Sequence, residues 1–113
     1  MPEIKELYLN DDSFADTTYQ SEFIYLGNAS SMTFVVYASS YGNVKLEWSI
    51  DASTVVRTEI SPLDSNVVCE LSRPIHAGYC RFTVYDLTSP CSLQTQGFFF
   101  LTKNQQLESS GTT

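Results

Sequence analysis

From Val44 to Ile50 the chain alternates without a break: Val44, Leu46, Trp48 and Ile50 occupy one set of positions, and Lys45, Glu47 and Ser49 the other. Side chains of an extended backbone point to opposite faces in turn, so this spacing predicts a half-buried strand with Trp48 on its inner face and the polar set outside. Tyr79–Tyr85 alternates in the same way. Met32–Ala38 is instead a continuous β-branched and aromatic run, which predicts a central strand covered on both faces.

Weaker runs fill the rest of the chain. Ile4–Leu9 predicts an edge strand or arm, stopped by the turn-forming cluster Asn10–Ser13. Residues 14–21 read as a loop, Glu22–Leu26 as a short strand, and Gly27-Asn28 as a turn. Ser39–Asn43 predicts a second turn, with Gly42 or Asn43 suited to positive φ. Asp51-Ala52-Ser53 predicts a reversal, and Thr54–Ile60 and Asn66–Leu71 predict strands separated by Ser61–Ser65. Pro74 and Gly78 break the pattern over Arg73–Gly78, and Leu93–Leu101, with Phe98-Phe99-Phe100, closes it. Seven or eight short strands at spacings near ten residues, with no helical period, predict an all-β chain. The expected architecture is a single antiparallel β-sandwich, jelly-roll or Ig-like. It spans residues 1–103 with an N-terminal strand or arm at 1–21, followed by a polar tail at 104–113 that orders only against a neighbour.

Length and charge narrow the functional classes. At 113 residues there is room for one core. The net charge of −7 argues against nucleic acid, whose phosphates need clustered Lys and Arg. No apolar run approaches the roughly 20 residues of a spanning helix, so no membrane partner is expected. The start Met1–Glu6 lacks a basic segment leading into an apolar one, which predicts synthesis in the cytoplasm.

Candidate chemistry is sparse. Cys69, Cys80 and Cys91 are an odd set at eleven-residue spacing, without the close pairs that zinc ligation uses. Cys69 and Cys80, within β-like runs, are expected to be buried and reduced, and Cys91, after Ser89-Pro90, to be the exposed thiol. His76, the sole histidine, lies in a Pro/Gly loop and is expected to face water rather than serve Ser72 or Cys69 as a base. Glu47 and Asp51 form a carboxylate pair in sequence, but Asp at a turn ordinarily bonds its own backbone. Asp11 and Asp12 lack the ligand spacing of a calcium loop. Trp48, Tyr37, Tyr41, Tyr79 and Tyr85 are candidates for a sugar-stacking platform, with core packing the simpler assignment. Asn28-Ala29-Ser30 matches a glycosylation acceptor but is not expected to be used, since no secretory segment is expected before it. No catalytic, cofactor or metal residue is therefore assigned.

Gly42, Val44, Leu46, Glu47, Ser49 and Asp51 form one strand pattern, Tyr79, Arg81, Phe82 and Val84 a second, and Phe98–Leu101 a final aromatic strand. Over residues 31–102 this arrangement resembles small phage virion β-sandwich domains, departing from them at Ala52, where many carry Gly. The resemblance implies a non-enzymatic, particle-bound protein, first of all a capsid decoration protein of the knob or cement type. Its implied partners are the major capsid protein or other virion proteins, and itself as a homo-oligomer. Its implied location is the virion, after synthesis in the host cytoplasm. A glycan-binding adhesion module of a phage tail or fibre is the alternative, with a host glycan as ligand and Trp48 or a tyrosine exposed in a groove.

Overall fold

The computed structural model describes residues 3–27 and 29–101. The 104–113 tail and Asn28 of the acceptor triplet lie outside the described residues. These hold nine strands and no helix: β1 (Glu3–Phe14), β2 (Tyr19–Gln20), β3 (Ile24–Tyr25), β4 (Ala29–Ala38), β5 (Gly42–Ser49), β6 (Val55–Leu63), β7 (Cys69–Pro74), β8 (Tyr79–Tyr85) and β9 (Cys91–Leu101). One sheet runs β1-β9-β4-β7; the other runs β2-β8-β5-β6, with β3 also paired to β8. All pairings are antiparallel.

The strand order distinguishes between the two expected sandwiches. Because β2 and β3 both pair with β8, they act as one interrupted strand, which leaves eight in effect. Strand pairs β1·β9, β2–β3·β8, β4·β7 and β5·β6 then match the first with the last, the second with the seventh, the third with the sixth and the fourth with the fifth. That is one long hairpin rolled onto itself, the jelly roll, and not the Ig order. The extra strand beyond the seven or eight expected is the β2–β3 break.

Alternation fills the core as the sequence predicts. Val44, Leu46 and Trp48 of β5 meet Val84, Phe82 and Cys80 of β8, and all six are almost wholly inaccessible. Phe34 of β4 crosses the layer to Phe82 at 4.7 Å between ring centroids, so an aromatic pair joins the two sheets. Thr95 of β9 is fully buried, and its hydroxyl has no partner among the described residues.

Several local expectations are corrected. β1 continues through Asn10–Ser13, because bulges between Leu7 and Leu9 and between Asp11 and Phe14 absorb the irregularity. β4 is central, but only its Met32, Phe34, Val36 and Ala38 face is buried; Thr33, Val35 and Tyr37 on the other face are partly exposed. Neither Gly42 nor Asn43 has positive φ. Glycine is required at 42 for another reason: a Cβ there would stand 2.7 Å from the Tyr85 carbonyl oxygen. β6 runs through Ser61–Leu63 despite Pro62, which is tolerated because β6 is an edge strand. Ile50 lies beyond the end of β5 and is 70% exposed rather than in the core. Cys91 opens β9 opposite Phe14 and is buried, not exposed.

Candidate contact surfaces and cleft

The titratable candidates are dispersed, each held by a local partner. Glu47 on β5 accepts from Arg81 on β8, Nη2 at 2.9 Å and Nε at 3.0 Å from the same carboxylate oxygen. Asp51 Oδ1 accepts from the backbone amides of Ser53 at 2.9 Å and Thr54 at 2.7 Å. Those amides and the Ser49 hydroxyl hold its carboxyl below the ordinary carboxylate value. The pair is thus a cross-strand ion pair and a turn clamp, not an acid and a base facing one substrate. Ser49 is fully buried under that turn, and Glu47 is nearly so, which corrects the expectation of an open polar face.

His76 is exposed, as expected of its loop, and packs edge-on against the Trp48 ring at 4.9 Å. Trp48 is wholly inaccessible, and its Nε1–H donates to Glu59 Oε2 at 3.2 Å. Glu59 in turn accepts from Arg57 Nε at 3.3 Å and from Arg73 Nε at 2.7 Å. Burial alone would raise the Glu59 carboxyl, but the bonds from Arg73, Trp48 and Arg57 outweigh it and hold it below the ordinary value. Arg73 lies on β7, so this cluster ties the two sheets along one side of the sandwich. Among the described residues no three His, Cys, Asp or Glu side chains gather as a metal site would need.

The five aromatics do not assemble into a platform. Trp48 is in the core, Tyr37 donates to Asn66 Oδ1, Lys45 stands over the Tyr85 ring, and Tyr79 pairs with Tyr25. Tyrosines do line a groove elsewhere. A cleft of about 500 Å³ opens where β1 faces the β2–β3 break, lined by Tyr8, Tyr19, Gln20, Ser21, Glu22, Phe23 and Ile24. The sequence reading missed it because Tyr8 and the 19–24 segment come together only through the sheet order.

Several large apolar side chains are exposed. Val56 and Ile60 project from edge strand β6, and Val67 and Val68 from the β6–β7 connection, each more than half exposed. Tyr25, Tyr41 and Ile50 are about 70% exposed.

No family model and no curated protein matches the sequence. Solved structures do share its fold. Residues amounting to 88% of this chain superpose on PBSX exported protein XepA with a TM-score of 0.74 at 17% identity, and they span 38% of that chain. SPBc2 prophage-derived protein YomS matches 88% of this chain over 95% of its own length, with a TM-score of 0.59 at 12% identity. Tobacco streak virus coat protein matches 90% of this chain over 87% of its own, with a TM-score of 0.53 at 7% identity. A prophage-derived protein and a viral coat protein are therefore among the chain's fold neighbours, in line with the virion resemblance of its strand patterns. What the chain shares with all three is the fold.

Proposed function

We propose that this chain is a non-enzymatic structural protein of a phage particle, and specifically a capsid decoration protein that seats on the capsid surface as a knob or cement element. The observation that carries the reading is the match to the prophage-derived YomS, which takes in 88% of this chain and 95% of that one, so the two correspond as whole domains. The likeness to a viral coat protein supports the same setting.

The surface is suited to that task. A jelly roll has a closed core and offers its partners edges, connections and outer faces. Here these carry Val56, Ile60, Val67 and Val68 along one side. Burying such side chains against a capsomer stabilises the complex by roughly 25 cal/mol per Å² of apolar surface, less the cost of association. The partner in this reading is the major capsid protein, and the location is the virion, after synthesis in the host cytoplasm.

The test is co-sedimentation of the purified chain with assembled capsids and, separately, with free capsid protein. Retention by capsids alone, together with a raised capsid disruption temperature, is the expected result. Equal behaviour of capsids with and without the chain would refute cementing. Charged substitutions V56D and I60D should weaken retention without unfolding the chain, since both side chains are more than half exposed.

A further inference from the structure

The cleft beside the β2–β3 break has features that capsid docking does not use. Its floor is aromatic and fixed. Tyr8 and Tyr19 pack on the buried Phe82 ring at centroid distances of 5.3 Å and 6.0 Å. The rim is made by Gln20–Ile24, where the chain leaves β8 and returns to it. Bulges and breaks of this kind re-aim side chains away from the ladder.

Each rim group has a set position. Gln20 Nε2 donates to Thr83 Oγ1 at 3.1 Å, which leaves its amide oxygen as an acceptor for a ligand. Ser21 is pinned at both ends, its N–H donating to Phe82 O at 2.9 Å and its Oγ accepting from Phe82 N–H at 3.1 Å. The Phe23 ring lies under the Arg81 guanidinium at 4.4 Å, and that guanidinium is committed to Glu47. Glu22 stands exposed on the rim.

This lining selects a ligand class. Among the described residues no Lys or Arg lines the cleft, while Glu22 and a net charge of −7 disfavour anions. A wholly apolar ligand would strip water from Glu22 and Gln20 and give nothing back. A ring with apolar C–H faces and outward hydroxyls satisfies both halves: its face packs on tyrosine, and its hydroxyls donate to the carboxylate and the amide oxygen. A volume of about 500 Å³ lies within the range of small-molecule sites. We propose that this cleft binds a neutral saccharide of one or two sugar units.

The experiment is an NMR titration of the full chain, labelled with nitrogen-15, against glucose, galactose, N-acetylglucosamine and their β-linked disaccharides, with sialyllactose and choline as charged controls. A neutral sugar is expected to shift the amides of residues 19–24. E22A and Q20A should each weaken that binding about tenfold, the loss expected for one hydrogen bond at a partly desolvated site. E22A should melt like the parent, because that side chain is exposed, whereas Q20A also takes the partner from the buried Thr83 hydroxyl, so its binding is compared at a temperature where its melt shows the chain fully folded. The proposal is overturned if no neutral sugar moves those amides at up to about 10 mM, where a Kd of 1 mM would be nearly saturated. It is equally overturned if only sialyllactose or choline binds, or if E22A and Q20A bind the sugar as tightly as the parent. The titration needs no capsid, so its failure leaves the co-sedimentation result standing, and the reverse also holds.

Discussion

Replacing Ala52 by Gly should stabilise the fold, which is unusual for a substitution that adds no contact. Ala52 sits in the Asp51–Ser53 reversal at φ 64°. Among the described residues the other non-glycine residues at positive φ are Asn66 and Asp86, types whose short polar side chains tolerate that region. Alanine has no such compensation: its Cβ meets the neighbouring carbonyl, at a cost of about 1–2 kcal/mol. Glycine removes that clash but loses about 0.5–1 kcal/mol through greater freedom in the unfolded chain. The turn itself does not depend on the Cβ. Ser49 Oγ donates to Asp51 Oδ1 at 3.0 Å and accepts from the Asp51 and Ser53 amides at 3.2 Å, beside the two amide bonds to Asp51 Oδ1. The net gain for A52G at the middle of these ranges is therefore about 0.75 kcal/mol, or about 3–6 °C in Tm for a domain near this size. Urea titration and thermal melts of parent, A52G and A52V at one pH make the comparison. A52V, with a β-branched side chain in the same conformation, should lose at least about 1 kcal/mol. If A52G melts at or below the parent temperature, or A52V matches the parent, the left-handed turn and the reasoning from it are wrong.

Three further outcomes follow from the packing and electrostatics. Glu59 and Asp51 both titrate below their ordinary values of 4.5 and 3.8, so the folded chain resists protonation more than the unfolded one. Their contribution is complete above those values and is lost as pH falls through the lower folded ones; acid melts of E59Q should show a shallower decline below pH 4.5 than the parent. At neutral pH E59Q should already be about 1–2 kcal/mol less stable, since Arg73 and Trp48 lose a charged acceptor. Gly42→Ala, which sets a methyl 2.7 Å from a backbone oxygen, should lose about 1–3 kcal/mol in urea titration, and an unchanged midpoint would contradict the close approach. Burial, followed by the nearby Glu59 and Glu47 charges, pushes the Cys80 thiol up to about 12. Timed alkylation with mass readout should therefore label partly exposed Cys69 first and Cys80 only as fast as the chain unfolds.

The legible parts of this fold were those in which one face of a strand meets the core. Val44, Leu46 and Trp48 could be placed inside because a two-residue period has only one reading when one side is buried. The same rule failed where a strand is too short to have a period: β2, two residues long, lies in the segment 14–21 that reads as a loop, whereas β3 falls within the expected Glu22–Leu26 strand. It also failed at ends and edges. Ile50 shares the parity of Trp48 but lies past the last paired residue, and β6 passes through Pro62 because no strand needs its N–H. Glu59 was invisible as the partner of Trp48, since that contact depends on the β5–β6 register and on Arg73 arriving from the other sheet. Gly42 looked like a turn residue and proved to be a spacer, two roles that the letter alone does not separate.

The order of the strands also explains where this chain can leave side chains exposed. In a rolled hairpin each of the two sheets has its ends at β1, β7, β2–β3 and β6, while β4, β5, β8 and β9 are enclosed on both sides. Inner positions of the enclosed strands are committed to packing, so changes there are paid for in stability. Edges carry looser constraints, and this chain treats its two sides differently. The β6–β7 side is closed by the Arg57–Glu59–Arg73 cluster, with Val56 and Ile60 exposed on β6 and Val67 and Val68 on the connection that follows it, apolar groups suited to a broad partner. The β1–β2 side is held open by the break after Gln20, leaving tyrosines under a polar rim, a shape suited to a small ligand. One fold thus presents two surfaces of opposite character, and the substitutions V56D and E22A address them separately: each should weaken one kind of binding and leave the other as it was.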